Sequence, residues 1–364
     1  MRYFFSTGEA SGELSATLLA DEIVKNDRDA IFFGIGGQRM KDFGFELWAN
    51  NRGWSSITPF SVLAKVPGMF LTLRRSTARL MRDPPERIVL IDFGAFNLGL
   101  ATALRRRGYG GKIVYYFPPG AWFDKAEQAR VVAQTTEPIP AFRHQAEFYW
   151  SLGLGAHYFG HPLVSRYQMR EMRPAPHSDG GTVSLLPGSR AAELRHHIPL
   201  LLDSLNRLRI LRPKLKAYAV AADDRAEELL KGAIRAEDAI EVVRGTKATL
   251  ENSDAAWIAS GTAVLEAALL GVPAVVFYLM RPFQMRVVRS FYHGRYFALT
   301  NLIAAREIVP EFAQEAAKPE ALAAAIDGIL RDPHPQYSAL RELRKDIGTA
   351  DALPRIADFV ASGS

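Results

Sequence analysis

A unit recurs along this chain: a short β-rich run that closes on Gly, Pro or a small polar residue, followed by a stretch with helical spacing. The runs are residues 3–6, 31–34, 87–92, 112–116 and 157–160 in the first half. Residues 182–186, 217–220, 240–243, 256–258 and 274–278 continue the style in the second. Apolar runs without polar alternation need cover on both faces, which parallel sheets between helix layers provide. Two sets therefore predict an α/β protein of two doubly wound, Rossmann-like domains, and 364 residues suffice for both. We expect a first domain over 1–168, a linker over 169–181 that is charged and then rich in Pro and Gly, and a second domain over 182–335. Helical stretches at 318–330 and 336–359 end the chain, and residues 336–364 are expected to cross back to the first domain or to dimerise. Ligands of such folds bind at the carboxyl ends of the strands, here in an expected cleft faced by both sheets.

The chain has no cysteine, which excludes disulfides, thiolate metal sites and cysteine nucleophiles and suggests a reducing compartment. Lys and Arg number 45 against 39 Asp and Glu, so a net +6 favours an anionic partner. Nucleic acid is not expected, because basic and aromatic residues are not interleaved on a sheet. The opening apolar stretch reaches Thr7, Gly8 and Glu9 at once, too soon for a signal-peptide core. The run at 267–278 is broken by Gly and Pro and falls short of the roughly 20 residues that span a bilayer. A cytoplasmic protein with at most peripheral membrane contact is expected.

Chemistry concentrates at turns that follow the runs. In Leu185-Leu186-Pro187-Gly188-Ser189-Arg190, with Glu193 beyond, Gly188 and Ser189 open a helix whose N–H groups and dipole suit phosphate, and Arg190 adds a cation. A plain tight turn with a surface arginine has the same sequence. Ser260, Gly261 and Thr262 open another helix after a strand, with Glu266 one turn on, placed for a ribose diol. Ser260 as a helix cap and Glu266 as a dipole partner is the alternative. Asn301 and Gln314 carry amides that suit a uracil edge or sugar hydroxyls, or serve as turn and cap residues. Glu9 and Glu13 in the turn Thr7-Gly8-Glu9-Ala10-Ser11-Gly12-Glu13 suit sugar hydroxyls or a base, or simply begin a helix. Gly34-Ile35-Gly36-Gly37 lacks the third glycine of a dinucleotide fingerprint. No metal site is expected, since the adjacent His196 and His197 fall on different helix faces.

In order, these pieces resemble the lipid-A-disaccharide synthase family. The resemblance runs from residue 3 to about 325 through Gly8-Glu9-Ala10-Ser11-Gly12, Gly160-His161-Pro162-Leu163, the 185–190 turn with Glu193, Ser260-Gly261-Thr262-Ala263, residues 265–273, Asn301-Leu302 and Gln314-Glu315. It implies a GT-B glycosyltransferase that moves 2,3-diacylglucosamine from its UDP carrier to 2,3-diacylglucosamine 1-phosphate (lipid X). The products are UDP and a β-1,6 disaccharide, formed with inversion at the inner face of the cytoplasmic membrane. No cofactor is implied beyond the UDP-sugar donor. By resemblance Glu266 holds the ribose, and Asn301 and Gln314 the uridine or donor sugar.

The acceptor side departs from the family. Its Ile-Asp-x-Pro-Asp-Phe-Asn motif is here Ile91-Asp92-Phe93-Gly94-Ala95-Phe96-Asn97, so Ala95 replaces a candidate base. The Ser-Pro-Ser-x-Trp-Ala-Trp-Arg segment becomes Phe117-Pro118-Pro119-Gly120-Ala121-Trp122-Phe123-Asp124, and Glu13 replaces an Asp. Asp92, then Glu9, then Glu13 are the replacement bases, with a structural carboxylate the other reading of Asp92. A different acceptor, or a nucleotide-sugar-binding homologue without turnover, are the competing outcomes. Residues 60–81 interleave Phe60, Val62, Leu63, Val66, Met69, Phe70, Leu71 and Leu73 with Lys65, and Arg74, Arg75, Arg79 and Arg82 follow. That pattern suits an anionic lipid surface as well as an amphipathic helix on a core.

Overall fold

The computed structural model describes residues 1–51, 54, 59–119, 125–280 and 295–362, and the chain divides into two units. The first comprises Met1–Ser165 and Ile347–Ser364, the second Arg166–Asp346.

The first unit is built on β1 (Arg2–Thr7), β2 (Ile31–Gly36), β3 (Glu46–Asn50), β4 (Arg87–Ile91), β5 (Lys112–Tyr116) and β6 (Glu137–Ile139). All six are parallel, in the order β3-β2-β1-β4-β5-β6. Side chains of a strand alternate between its faces. Tyr3, Phe5, Val89, Ile91, Val114 and Tyr116 enter one core layer, while Phe4, Ile88, Leu90, Ile113 and Tyr115 enter the other. Both layers are apolar, which is why the runs show no alternation. The helices α1 (Ala10–Asn26), α2 (Gln38–Phe43), α3 (Pro59–Arg82), α4 (Gly94–Arg106), α5 (Ala126–Thr135) and α6 (Arg143–Ser151) connect the strands or flank them.

The second unit repeats the plan with β7 (Thr182–Leu186), β8 (Lys216–Ala221), β9 (Ile240–Arg244), β10 (Ala255–Ala259), β11 (Ala274–Tyr278) and β12 (Glu311–Ala313), all parallel and ordered β12-β11-β10-β7-β8-β9. Its helices are α7 (Ala191–Leu211), α8 (Asp224–Ala233), α9 (Thr246–Glu251), α10 (Thr262–Leu270), α11 (Leu299–Ala304), α12 (Pro319–Arg331) and α13 (His334–Ile347). Trp257, fully buried, donates from Nε1 to the Leu322 carbonyl at 3.1 Å and ties β10 to α12. The stretch expected as a linker packs on this unit instead: the Arg170 N–H donates to the Leu270 carbonyl at 3.1 Å, and Arg173 pairs with Asp254 at 3.1 Å.

The expected terminal helix is broken at Gly348 (φ 134°), where it approaches Gly160 so closely that a Cβ would lie 2.6 Å from the Gly160 Cα. Beyond the break, α14 (Ala352–Ala361) packs on the first unit through Leu353, Ile356, Ala357 and Val360. Its last carbonyls are capped by cations: Arg87 donates to Val360 and Ala361 at 3.0 Å, and Lys112 to Phe359 at 2.8 Å. The run 157–160 forms no strand beyond a single bridge from Gly160 to Gly348. Three strands carried no sequence signal. β3 is a half-exposed edge strand, and β6 and β12 are three-residue edge strands, β6 containing Pro138.

Candidate active site

In the second unit the strand order reverses between β7 and β10, the switch point at which open α/β sheets bind ligands. The loops after these two strands are the predicted anion turns. Gly188 lies beside the end of β10: a Cβ on it would stand 3.6 Å from the Cβ of Ala259, the last residue of that strand. Gly188 has φ 101°, a left-handed conformation that favours glycine. Both following helices begin without a side-chain cap, α7 after Arg190 and α10 after Gly261. Helix-start N–H groups have no acceptor within the helix, so a side-chain-free start leaves them open to water or to an external anion. Ser260 is not the cap of α10; its hydroxyl donates to the Phe297 carbonyl at 3.3 Å. Ser189, Arg190, Gly261 and Thr262 are exposed.

Around these turns lies a brace that joins the predicted Arg190 and Glu193 to Tyr278 and His197, whose parts in it sequence reasoning missed. Arg190 Nη1 donates to Glu193 Oε1 at 3.0 Å, and the Tyr278 hydroxyl donates to the same oxygen at 2.7 Å. His197, fully buried, donates from Nδ1 to the Pro187 carbonyl at 2.7 Å, and its Nε2 accepts from the Leu279 N–H at 3.1 Å. Burial lowers its pKa, in keeping with the neutral ring that this pairing needs. The 193/197 spacing, one turn apart on one helix face, was the available signal.

Other predicted donor residues are placed differently. Glu266 is half-buried and bonded to the Tyr167 hydroxyl; burial raises its carboxyl above the usual range while Tyr167 and Arg166 oppose the shift. Asn301 staples a loop. It is fully buried, donates to the Val309 carbonyl at 2.8 Å and accepts from the N–H groups of Ile308 and Val309 at 2.8 and 3.0 Å. Gln314 (φ 52°) pairs with the Met280 backbone, donating to its carbonyl at 3.1 Å and accepting from its N–H at 2.8 Å.

In the first unit the switch point falls between β1 and β4, and Glu9 and Asp92 follow those strands. Asp92 (φ 48°) and Phe93 (φ 52°) are consecutive left-handed residues, and Phe117 (φ 61°) after β5 is a third. Such conformations cost about 1–3 kcal/mol each and cluster at functional sites. Phe93 stacks on Trp54 at 5.5 Å and presses on Gly8, where a Cβ would lie 2.1 Å from its ring. Gly8 is therefore a close-approach glycine. Asp92 is an exposed residue, yet desolvation by surrounding protein raises its carboxyl above the usual range, against the pull of the Phe93 N–H; solvent screening limits the shift.

The other two carboxylates are less available. Glu9 is the half-buried N-cap of α1. Glu13 is buried, with Oε1 accepting from Asn51 Nδ2 and Oε2 from the Arg39 N–H, both at 3.2 Å, so it holds the start of α2. Ala95 is exposed in the first turn of α4, and residues 120–124 of the altered aromatic segment lie outside the described residues. Among the described residues no three His, Asp or Glu side chains are grouped to hold a metal ion.

Two Rossmann-like units, one of them with paired helix starts at its switch point, define the GT-B class. The fold is shared with a Methanocaldococcus jannaschii UDP-GlcNAc 2-epimerase solved with UDP-GlcNAc and UDP (TM-score 0.64, 10% identity, 100% of both chains). A spinosyn rhamnosyltransferase matches with TM-score 0.64 and 13% identity over 98% of this chain and 99% of that one. The lipid-A-disaccharide synthetase family model matches residues 3–345. Lipid-A-disaccharide synthases of Anaeromyxobacter dehalogenans and Azotobacter vinelandii are 31% and 32% identical, over 97% and 99% of this chain and 95% and 97% of their own. The chain belongs to the lipid-A-disaccharide synthetase family and is a glycosyltransferase of lipid A disaccharide formation.

Proposed function

We propose that the protein transfers 2,3-diacylglucosamine from UDP to the 6-hydroxyl of 2,3-diacylglucosamine 1-phosphate with inversion. The observation that carries the donor half is that β7 and β10 are neighbours at the switch point and that each is followed by a helix start without a side-chain cap. There the N–H groups of α7 and α10, with Ser189 and Arg190, receive the diphosphate, and Glu266 faces the ribose. Fixed donors at the leaving diphosphate stabilise charge as it develops. Gln314 acts from the Met280 backbone and shapes the floor of the nucleoside site. On the acceptor side Asp92 takes the hydroxyl proton as the oxygen–C1 bond forms and the C1–diphosphate bond breaks.

This reading requires no cofactor. Purified protein given UDP-2,3-diacylglucosamine and lipid X is expected to release UDP and form the disaccharide, equally with or without EDTA. UDP binding without turnover on this pair would favour a different acceptor or a binding protein.

Membrane contact belongs to the same proposal and rests on α3. Val66, Phe70 and Leu71 are 49, 59 and 47% exposed, beside exposed Arg74, Arg75, Arg79 and Arg82. Met69 and Leu73 pack on the core and leave the lipid face to the others, while the side chains of residues 59–65 lie outside the described residues. Among the described residues no helix is long and apolar enough to cross a membrane, and the proposed contact through α3 is interfacial; the inner face of the cytoplasmic membrane is the proposed surface. Replacing Phe70 and Leu71 by Ser is expected to weaken binding to phosphatidylglycerol vesicles about tenfold, as the loss of partial burial of two large side chains requires. Turnover of detergent-dispersed substrates should not change, and vesicle sedimentation unaltered from the parent protein would remove the proposal.

A further inference from the structure

The tandem left-handed turn at Asp92-Phe93 opens on the exposed residue Asp92 and is held from below by a buried amide. Asn97, fully buried in the first turn of α4, has Nδ2 at 2.9 Å from the Asp92 carbonyl, 3.1 Å from that of Ile91 and 3.2 Å from that of Ser6. Its Oδ1 accepts from the Ser6 hydroxyl at 2.6 Å, and its N–H donates to the Phe93 carbonyl at 3.1 Å. The Tyr115 hydroxyl donates to the Asp92 carbonyl at 2.9 Å, and the Asp92 N–H to the Tyr116 carbonyl at 3.0 Å. Two strands that flank the switch point, β1 and β4, are thereby joined to the peptide that carries the carboxylate.

The chemistry of this contact admits little else. A side chain here must donate to carbonyls on one edge and accept a hydroxyl on the other. Aspartate would set an acceptor against three acceptors. An apolar residue would take the amide from the Ser6 hydroxyl and from the three carbonyls, and would leave relaxation of the turn opposed only by the Tyr115 hydroxyl, the backbone bonds to Tyr116 and Phe93, and the packing of the Phe93 ring. Relaxation of two left-handed residues changes the direction of the Asp92 Cα–Cβ bond, and so the reach of its carboxylate.

We infer that Asn97, oriented by Ser6, is a positioning residue that aims the Asp92 carboxylate at the acceptor hydroxyl. The inference rests on the proposed role of Asp92 as base. Asn97 touches no substrate, so its effect on turnover passes through Asp92.

The test is a double-mutant cycle of Asn97→Asp and Ser6→Ala, each in the parent and the Asp92→Asn background, with kcat, donor KM and UDP affinity measured. Misplacement of a catalytic group by about 1 Å costs on the order of 10²-fold, so Asn97→Asp is expected to lower kcat by about that factor. Ser6→Ala, which removes one hydrogen bond from the amide, is expected to lower it about fivefold. Donor KM and UDP affinity should stay at parent values, and both losses should vanish in the Asp92→Asn background. Should Asn97→Asp fail to fold, Ser6→Ala carries the cycle alone. A folded Ser6→Ala protein with parent kcat, or equal losses in both backgrounds, overturns the inference. High activity of Asp92→Asn by itself marks instead the failure of the base assignment.

Discussion

Asp92→Asn is expected to lower kcat by about 10²–10⁴-fold, the usual contribution of a general base, with UDP affinity unchanged. Three observations set this residue apart from the other carboxylates of the first unit. It follows β4 at the β1/β4 switch point, it is exposed, and it sits on a turn held in a strained conformation. Glu13 is committed to Asn51 and the start of α2, so Glu13→Gln should act mainly through stability. Desolvation raises the Asp92 pKa, and a base works only when deprotonated. Activity should therefore fall as pH drops through that raised pKa, and kcat/KM against pH should lose its acidic limb in Asp92→Asn. The absent family acid provides a companion measurement. Ala95 is exposed three residues on, and Ala95→Asp offers a second carboxylate on the first turn of α4. Partial recovery of Asp92→Asn turnover by Ala95→Asp would show that the two positions serve one proton. Parent-like turnover by Asp92→Asn alone would move the base elsewhere, with Glu9 next.

The apolar runs were legible because each central strand fills two core layers, as Phe4 and Phe5 do on opposite faces of β1. Edge strands leave no such trace: β12 has three half-buried residues, and only its register against β11 defines it. Turn glycines were legible as turns but not in their reasons, since Gly8 is required by Phe93, 85 residues away in sequence. Amides were the least legible. Asn301 and Gln314 have the residue type of ligand contacts, but a side-chain amide takes whatever backbone the fold brings near, and that depends on packing no local pattern records. The adjacency of the Gly188 and Ser260 turns is likewise a product of strand order rather than of either turn's sequence. Family resemblance preserved the order of the motifs, and the sheet reversal explains why two motifs some 70 residues apart meet.

Arg190→Ala is expected to weaken UDP binding by about 10–100-fold, the value of a charge-assisted hydrogen bond of about 1.5–3 kcal/mol. The expected loss of kcat is larger, on the order of 10²–10³-fold, because a donor at the departing diphosphate acts most where charge develops. Glu193 shapes both effects. In the free protein its carboxylate holds Arg190 at 3.0 Å and Tyr278 at 2.7 Å, so the guanidinium is aligned along the start of α7 before any ligand arrives. Without Arg190, that carboxylate keeps the Tyr278 hydroxyl but faces the phosphate site without its cation, and repulsion adds to the lost attraction. Arg190→Lys should recover only part of the affinity, since an ammonium cannot reach Glu193 and a phosphate oxygen with a planar fork. Calorimetric titration with UDP and with uridine separates phosphate from nucleoside recognition: uridine affinity should be the same in all three proteins. If Arg190→Ala binds UDP within twofold of the parent, the diphosphate lies away from α7, and the helix start at Thr262 becomes its principal anchor.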